Sequence, residues 1–479
     1  MQIYINISTQ RQPPLIPHFY NGNYTTTYEY LNQRFSSPAL IRLSKYVFLL
    51  QTTLYSGIVI YAPALALSSL NIGLDLWPCV ILTAAICTFY TTLGGLKAVI
   101  WTDVFQSIIM LTGFFSICAK GLQLYSLSDI FQTAARDRIL NFDNFNPDPR
   151  VRHSFWAIVI GGTFGLWLPT FAVNQTNVQR YMSCKNLVHA KLTLVATIVN
   201  LWLLMLLALF SGYVMNRFFK DHPIPAAYAA DKDKYIPFLV GNLFENANGG
   251  MMGLYVAAIY SGTLSTVSSS INSMSTVVSE NIVFPEKFEF LHGWFSKIMA
   301  VVFGFLCMAT AYVASKLGGV LEAGMVINSL AFSPNLGLFF LGMFFTKDKV
   351  EKVGAMAGYA SGIVVSGVVY ILNKRCEQTS GDFVAGFLQK VNQPSEVAGG
   401  KPDDGDSSSE PPPLVGLGES ISDDQSIAVQ EPHGTCSFYM SYLYISICGL
   451  VTTIAVGLLV SAMVIGRQAR RGLAEGTCK

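Results

Sequence analysis

Long apolar stretches separated by short polar ones dominate the pattern of this sequence. A bilayer core of about 30 Å requires about 20 apolar residues in a spanning helix, and ten stretches approach or exceed this length. The pattern therefore predicts an all-α polytopic membrane protein with about ten transmembrane helices. The predicted spans are 41–70, 76–93, 98–122, 155–175, 190–216, 250–280, 296–316, 320–345, 353–373 and 438–466.

The composition agrees with a membrane protein. Of the 479 residues, 52% are hydrophobic and 13% are charged, whereas soluble globular proteins carry about 25% charged residues. The net charge of +2 comes without a basic tract, so nucleic-acid binding is not expected. The histidines show no metal-ligand spacing, and the N-terminus has no apolar signal core. Five cysteines in apolar runs are interpreted as small buried hydrophobes rather than disulfide partners: Cys79, Cys87, Cys118, Cys307 and Cys448.

The region between the last two spans, 374–437, differs from the rest of the chain. Its centre is acidic and rich in Ser, Gly and Pro, which predicts a disordered loop. With the N-terminus inside, Lys and Arg in TKDKVEK (346–352) and in RQARR (467–471) lie on the cytoplasmic side, as the positive-inside rule requires. The predicted order is a cytoplasmic segment 1–40, a core of about nine spans at 41–373, the loop 374–437 outside, a final span 438–466 and a cytoplasmic tail 467–479.

The stretch SGTLSTVSSSINSMS, at 261–275, places many hydroxyls inside a predicted span. On a helix, Gly262, Ser265, Ser269 and Asn272 share one face at spacings of three and four. Close packing of small residues explains the glycine and some of the serines. It explains less well the adjacent hydroxyls of Ser265 and Thr266, which together with a backbone carbonyl one turn earlier would offer hard oxygen ligands to an alkali cation. Both interpretations stay open from the pattern alone.

Two further motifs place a charge or a proline in predicted spans. In GGLKAVIWTDVFQ, at 94–106, Asp103 lies near the start of a span. It either caps the helix or faces protein, water or a cation, because exposure to lipid would cost about 2.5–3.5 kcal/mol. Pro169 should bend or break the span 155–175, since proline removes an amide donor. Interrupted helices mark binding sites in transporters, although a plain proline kink is the common alternative.

Together, these motifs resemble the solute:sodium symporter family, in the branch that transports monocarboxylates, the vitamins biotin and pantothenate, and iodide. The resemblance covers about residues 19–373 and rests on YEYLNQRF (28–35), LYSGIVIYAPALAL (54–67), GGLKAVIWTDVFQ, NQTNVQRYMSCK (174–185) and YSGTLSTVSSSIN (260–272). It implies a fold of two inverted five-helix repeats with the binding sites at their interface. It also implies two further helices before the position of YEYLNQRF. We therefore expect an N-terminally incomplete version of this fold, with three of five helices in the first repeat.

The resemblance also implies roles for single residues. Ser265 and Thr266 would provide hydroxyls, and Gly262 a carbonyl, to Na⁺ as the coupling ion. Asp103 and Arg180 would form the pair that closes the cytoplasmic gate. The weaker candidates for the substrate cavity are Gln51, Tyr55, Trp167, Thr170, Phe171 and Asn328.

By this resemblance, the chain is expected to be a plasma-membrane symporter rather than an enzyme. It would import a small organic anion, either a monocarboxylate or a carboxylate vitamin, together with sodium by alternating access. The alternatives are a symporter for iodide or another anion, a non-transporting partner of a full-length relative, and a channel. A channel would need a pore lined by charge rings or carbonyls, which the spans do not indicate. The expected partners are the anion and the lipid bilayer, and the pattern does not predict an oligomeric state.

Overall fold

The computed structural model describes residues 15–22, 24–69, 75–140, 144–151, 153–225, 232–245, 250–280, 289–316, 320–391 and 440–476. In these residues, all regular structure is helical. A π-helical segment, Ala157–Trp167, precedes α6, and a short 3₁₀ turn precedes α9. The α-helices are α1 (Leu15–Asn21), α2 (Thr27–Phe35), α3 (Pro38–Ser69), α4 (Leu76–Leu124), α5 (Leu127–Arg136), α6 (Leu168–Ala172), α7 (Gln175–Met182), α8 (Leu187–Asp221), α9 (Tyr235–Leu243), α10 (Gly250–Ser279), α11 (Glu289–Ala314), α12 (Val320–Phe344), α13 (Lys352–Val391) and α14 (Tyr442–Gly476).

The chain divides into two compact units, residues 1–367 with 441–479, and residues 368–440. The first unit holds every residue that the sequence suggests for a site. In the second unit, the Asn373 side chain donates to the Met440 carbonyl at 2.7 Å and accepts from the Met440 amide at 3.1 Å. Cys376 in this unit is disulfide-bonded, which the sequence pattern did not indicate. The five cysteines of the apolar runs are free thiols, as predicted.

Among the described residues, seven helices are long and apolar enough to span a membrane, and a bent pair of helices raises the number to eight. The predicted spans 76–93 and 98–122 are the two helical arms of α4, which are joined by a kink at Gly95 and not by a loop. The predicted span 250–280 is α10, whose 30 residues include no charge but whose many hydroxyls lower its mean hydropathy. Counting α4 as two crossings and adding α10 gives the ten crossings that the sequence predicts.

The two arms of α4 meet at Gly95, the single residue inside this helix with non-helical backbone angles (φ 55°, ψ −156°). Before it runs the crossing that starts at Leu76, and after it runs the crossing that ends at Leu124. Asp103 lies two turns into the second arm. The tight turn therefore places this carboxylate close to one end of the helix bundle.

The hydroxyl-rich helix α10 lies in the interior of the first unit. It packs against α3, α4 and α11, and residues 267–275 are all buried. Several of its hydroxyls donate to carbonyls of the same helix, for example Ser273 to Ser270 and Ser275 to Asn272, so that burial leaves them hydrogen-bonded. By contrast, only 6% of the most apolar part of α8 is buried, which fits a helix that faces lipid.

Two regions differ from the prediction. Residues 374–391 continue α13 as a helix, so the predicted disordered loop starts too early. Extending an existing helix needs no new nucleus, and the acidic, Ser- and Pro-rich composition begins after residue 391; the rest of the predicted loop, 392–437, lies outside the described residues. In the predicted segment 1–40, α1 and α2 are two short helices, which no apolar run in the sequence predicted. Residues 1–14 also lie outside the described residues.

Candidate ion and substrate site

The adjacent hydroxyls of α10 have different partners. Ser265 Oγ donates a hydrogen bond to Asp103 Oδ1 at 2.6 Å, and Thr266 Oγ1 donates to the Gly262 carbonyl at 3.0 Å. Both side chains are partly buried. The structure therefore gathers two hydroxyls, a carbonyl and a carboxylate in one region, which are oxygen groups of the kind that hard cations bind.

Asp103 also forms an ion pair across the bundle. Arg180 Nη2 lies 2.6 Å from Asp103 Oδ2 and donates to the hydroxyl of Ser269 as well. The exposed fractions of the Asp103 and Arg180 side chains are 16% and 28%, so the surrounding protein screens the attraction less than bulk water would. Among the described residues, Arg180 Nε is buried without a hydrogen-bond partner. The guanidinium therefore has a donor left for a further acceptor.

An interrupted helix brings Arg180 to this position. Pro169 lies just after the π-helical segment, so it removes an amide donor within a continuing helix. Its carbonyl accepts from the amides of both Val173 and Asn174 as the helix ends. The Asn174 side chain then caps α7 by accepting from the Thr176 amide at 2.9 Å. The two parts of the span differ in direction by 43°. The predicted break is confirmed, a few residues after the proline.

The structure joins two features that the sequence suggests separately. Asp103 was a candidate for a gate and Ser265 for an ion site, yet their side chains are hydrogen-bonded. Ser269, one turn after Ser265 on the same face of α10, is the residue that the motif did not assign. Its helical spacing from Ser265 was the available signal.

Three of the substrate-cavity candidates lie where α3 meets α12. Gln51 Nε2 donates to Asn328 Oδ1 at 2.7 Å, and the two side chains are 5% and 6% exposed. Tyr55 is one turn further along α3, and its ring lies beside Gly324 of α12, which leaves space for it. Since the bond occupies one amide group of each residue, Asn328 Nδ2 can still donate to another acceptor.

The other three candidates lie on or next to α6. The rings of Trp167 and Phe171 are stacked, with centroids 6.1 Å apart, and Trp167 is 41% exposed. Thr170 Oγ1 donates to the carbonyl of Leu166 in the preceding turn. The ring contact and the hydrogen bond of these residues therefore lie within their own stretch of helix.

Comparison with known proteins assigns the chain to a family. The profile described as the sodium:solute symporter family matches residues 13–362. The chain belongs to this family. The symporter profile thus covers the helices from α1 to the first part of α13, including Asp103, Arg180 and the hydroxyls of α10.

Curated symporters are similar over most of this chain. Sodium-coupled monocarboxylate transporter 1 of Homo sapiens is 40% identical over 464 residues, which are 95% of this chain and 73% of the relative. Sodium-coupled monocarboxylate transporter 2 of Bos taurus is 43% identical over 356 residues, 73% of this chain and 57% of the relative. The sodium/iodide cotransporter of Homo sapiens is 37% identical over 476 residues, 96% of this chain and 71% of the relative. The chain spans between 57% and 73% of the length of these three relatives.

A solved symporter structure has the same fold. It is the substrate-bound outward-open state of a Na⁺-coupled sialic acid symporter, with a TM-score of 0.68 and 21% sequence identity. The similarity covers 94% of this chain and 79% of that one. The sodium-symporter fold that the sequence motifs imply is confirmed.

Proposed function

We propose that this protein is a sodium-coupled symporter of the plasma membrane that imports a small organic anion by alternating access. The observation that carries the proposal is the group of oxygens on α10 beside the ion-paired Asp103. The helix interruption that places Arg180 there is a second feature of binding sites in transporters.

The hydroxyls of α10 are suited to sodium. A hydroxyl has one donor and two acceptor lone pairs, so Ser265 can donate to Asp103 and still present its oxygen to a cation. Thr266 and the Gly262 carbonyl add two oxygens from the same turn of helix. The negative charge of Asp103 favours a cation near Ser265, because a carboxylate in a partly buried site attracts it more strongly than in water.

The Asp103–Arg180 pair is proposed as a gate coupled to this site. A sodium ion beside Ser265 competes with Arg180 for the negative charge of Asp103 and repels the guanidinium. Binding of the ion therefore weakens the contact that holds α7 against α4. A ligand shifts a conformational equilibrium only through such a difference in its interaction with the two states.

The proposed substrate is a monocarboxylate or a carboxylate vitamin such as biotin or pantothenate. Two relatives are named for monocarboxylates, and the amides of Gln51 and Asn328 are neutral donors that suit a carboxylate. Iodide is the second candidate, since the sodium/iodide cotransporter is similar over 96% of this chain. Import of an anion with more than one sodium would move net positive charge inward and gain about 2.3 kcal/mol per charge and 100 mV.

The disulfide of Cys376 supports the predicted orientation. This cysteine is the last residue of the apolar span Lys352–Cys376 and lies at the start of the predicted outer loop 374–437. Disulfides persist in oxidising compartments such as the cell exterior. We therefore propose that this end of α13 is extracellular and that the short connection from α12 to α13 is cytoplasmic.

The test is uptake into liposomes that contain the purified chain. Radiolabelled lactate, nicotinate, biotin, pantothenate and iodide are each offered with an inward sodium gradient and with choline in its place. Sodium-dependent accumulation of one of the carboxylates is expected. Accumulation of iodide alone would select the second candidate, and equal uptake of every compound with choline would contradict sodium coupling.

Variants then test the ion site. Ser265→Ala together with Thr266→Ala should raise the sodium concentration for half-maximal uptake about tenfold, which corresponds to about 1.4 kcal/mol of ion binding. The matched control is Thr112→Ala, because Thr112 is exposed and its hydroxyl donates to the carbonyl of Ile108 in its own helix. An unchanged sodium dependence in the double variant would remove these hydroxyls from the site.

A further inference from the structure

A second carboxylate lies where α10 ends, in the same region of the bundle as Arg180. We propose that Glu280 is a second gating residue, which acts in series with Asp103 by holding α2 and α3 against the end of α10. This inference rests on the proposed alternating-access function. It adds a second layer to the gate, formed by Thr26, Lys45 and Glu280.

The contacts of Glu280 connect three elements that are distant in sequence. Its Oε2 accepts from Lys45 Nζ of α3 at 3.0 Å and from the hydroxyl of Thr26, the N-cap of α2, at 2.7 Å. The exposed fractions of the Lys45 and Glu280 side chains are 9% and 18%. One carboxylate oxygen therefore binds two groups in a shielded place, and breaking either contact leaves a poorly hydrated charge or hydroxyl.

The same short segment also binds the interrupted helix. Gln175, the first residue of α7, accepts from the Thr27 amide at 2.8 Å through Oε1 and donates to the Thr25 carbonyl at 3.3 Å through Nε2. Residues 25–27 thus hold α7 on one side, and Glu280, the residue directly after α10, on the other. A movement of α7 away from α10 would break contacts on both sides.

Between the two carboxylates, α7 and α10 are joined directly by neutral hydrogen bonds. Thr176 and Ser273 are 2.9 Å apart through their hydroxyls, and Gln179 donates to Thr276 at 3.2 Å. Ser269, Ser273 and Thr276 of α10 and Glu280 directly after it follow each other at spacings of four, three and four, so they lie on one face. The contact begins at Ser269, next to Arg180, and ends at Glu280. We call this contact between α7 and α10 the seam. Asp103 therefore closes the seam at one end and Glu280 at the other.

Further contacts hold α1 and α2 in place over this seam. Arg34 of α2 donates through Nε and Nη2 to the carbonyls of Gly342 and Phe345, both at 2.9 Å, at the end of α12. The Tyr20 hydroxyl of α1 donates to the Cys184 carbonyl at 3.0 Å, just after α7. Helices α1 and α2, with the described residues between them, therefore lie over the predicted cytoplasmic end of the bundle. We call them the strap.

A cavity of about 610 Å³ lies beside this second layer, with Thr25 and Glu280 in its wall. The hydroxyls of Thr91 and Ser279, which also line it, are buried without a partner among the described residues. Asn272, one turn after Ser269, reaches the same cavity. Water and ions in this cavity would therefore meet the face of α10 that leads to Ser265, once the strap and α7 move away.

Hydrogen exchange of the purified chain tests the second layer of the gate without any transport assay. Glu280→Gln should speed amide exchange at residues 25–29 and at residues 175–182 together, at least about threefold. Glu29→Gln is the matched control, because Glu29 accepts from the Thr25 amide within the strap and, among the described residues, its carboxylate forms no hydrogen bond or ion pair with α10. The control should change exchange at 25–29 only. If Glu280→Gln leaves residues 175–182 unchanged, Glu280 does not hold the gate.

A reversible cross-link tests whether the layer must open. Thr26→Cys and Glu280→Cys are combined and joined with a short bis-methanethiosulfonate, and each single variant receives the same reagent. Sodium-dependent uptake should fall at least tenfold in the double variant and recover after reduction, while sodium still protects the protein against heat. Uptake at the unlinked rate would overturn the proposal. Loss of sodium protection before cross-linking would instead point to failure of the proposed function.

Discussion

Ion pairs occur at both ends of the helix bundle, but they join different kinds of elements. At the end where α7 meets α10, the pairs Lys45–Glu280 and Arg180–Asp103 join residues 235 and 77 positions apart. We call these the inner pairs. At the far end of α8, a group of charged residues joins α8 to α5, the helix that follows α4. This outer cluster consists of Asp129, Asp137, Arg217, Lys220 and Asp221.

The outer cluster is more exposed than the inner pairs. Arg217 lies 2.6 Å from Asp129 and 2.9 Å from Asp221, and these carboxylate side chains are 43% and 45% exposed. Lys220, which is 53% exposed, pairs with Asp137 at 2.9 Å. Below these charges, Ile130 of α5 packs against α8 in a small buried cluster. Apolar contact already docks α5, and exposed pairs add little to it.

The outer cluster and the inner pairs therefore differ in function: the first holds two helices together permanently, and the second holds together helices that must separate. The outer cluster fastens one amphipathic helix to its neighbour, and nothing in the proposed cycle requires the two to part. The inner pairs, with the hydrogen bond from Thr26 to Glu280, hold together α2, α3, α4, α7 and α10, which the proposed cycle must separate. A shielded pair is strong while formed and costly to leave half-made. It therefore gives two distinct states rather than a gradual opening.

The largest effect is expected for Arg180→Ala. The variant leaves Asp103 without its cation in a partly buried place, so the inner gate should open more readily and coupling should be lost. Sodium-driven uptake is expected to fall at least tenfold. The measurement compares initial rates in liposomes at equal protein content.

A charge exchange serves as the control for that result. Asp103→Arg combined with Arg180→Asp keeps both charges at the contact and should recover part of the lost uptake relative to either single variant. No recovery would mean that Asp103 and Arg180 act separately.

A smaller effect is expected for Arg217→Ala in the outer cluster. The variant removes two ion pairs and the contact between Arg217 and the ring of Tyr125, whose centroid is 4.6 Å away. The melting temperature should fall by about 2–4 °C, because α5 is held less firmly. The sodium concentration for half-maximal uptake should stay the same. A change in that concentration would show that the outer cluster takes part in the cycle.

Ionic strength should distinguish the two ends in the unmodified protein. Raising it to about 1 M with choline chloride shortens the Debye length from about 8 Å to about 3 Å. Amide exchange should then rise in α5 about twofold and stay constant at residues 25–29. Equal increases at both ends would show that the inner pairs are as hydrated as the outer ones.

The smallest expected effect is a pH dependence confined to the inner end. Burial lowers the pKa of His18, whose usual value is 6.5, and its ring lies 4.9 Å from that of Tyr30. The unfolded chain therefore binds the proton more readily, so His18 stabilises the strap above pH 6.5 and this contribution is lost as the pH falls through its lowered pKa.

Exchange at residues 15–21 should thus increase between pH 7.5 and 5.5 beyond the intrinsic change, and His18→Gln should abolish the increase. The outer cluster provides the internal comparison. Hydrogen bonds from Lys220 and Asn216 hold the pKa of Asp137 below its usual value, so this carboxylate stays ionised over the same range. If the variant keeps the pH dependence, another group is responsible.

Most of the bundle and the residue types of the site could be predicted from the sequence. A membrane span needs a long apolar stretch, so the hydropathy pattern alone locates most helices. Asp103 also stands out, because a charge within a span needs a partner or a function, and the family resemblance suggests Arg180 as that partner. Their contact with Ser265 and Ser269 could not be predicted, since it depends on the turn at Gly95 and on the 43° break before α7.

The strap could not be predicted by the same means. α1 and α2 have 7 and 9 residues, which is too short to be stable alone, and their aromatic residues show no clear period. They become ordered by packing, as where Phe19 and Tyr30 meet Phe339 of α12. Glu280 is likewise an ordinary charge at the end of a span until the fold brings Thr26 and Lys45 to it.

The backbone angles of Gly95 set a requirement of handedness rather than of size. A side chain added there would meet nothing within 4 Å, yet an L residue at φ 55° and ψ −156° is strained by about 1–3 kcal/mol. A D-alanine of the same volume has the mirror-image preference and would fit. Every single-nucleotide change that alters a glycine codon to another amino acid installs an L side chain. At the turn between the two arms of α4, the backbone conformation therefore disfavours every substitution of Gly95, even though there is space for a side chain.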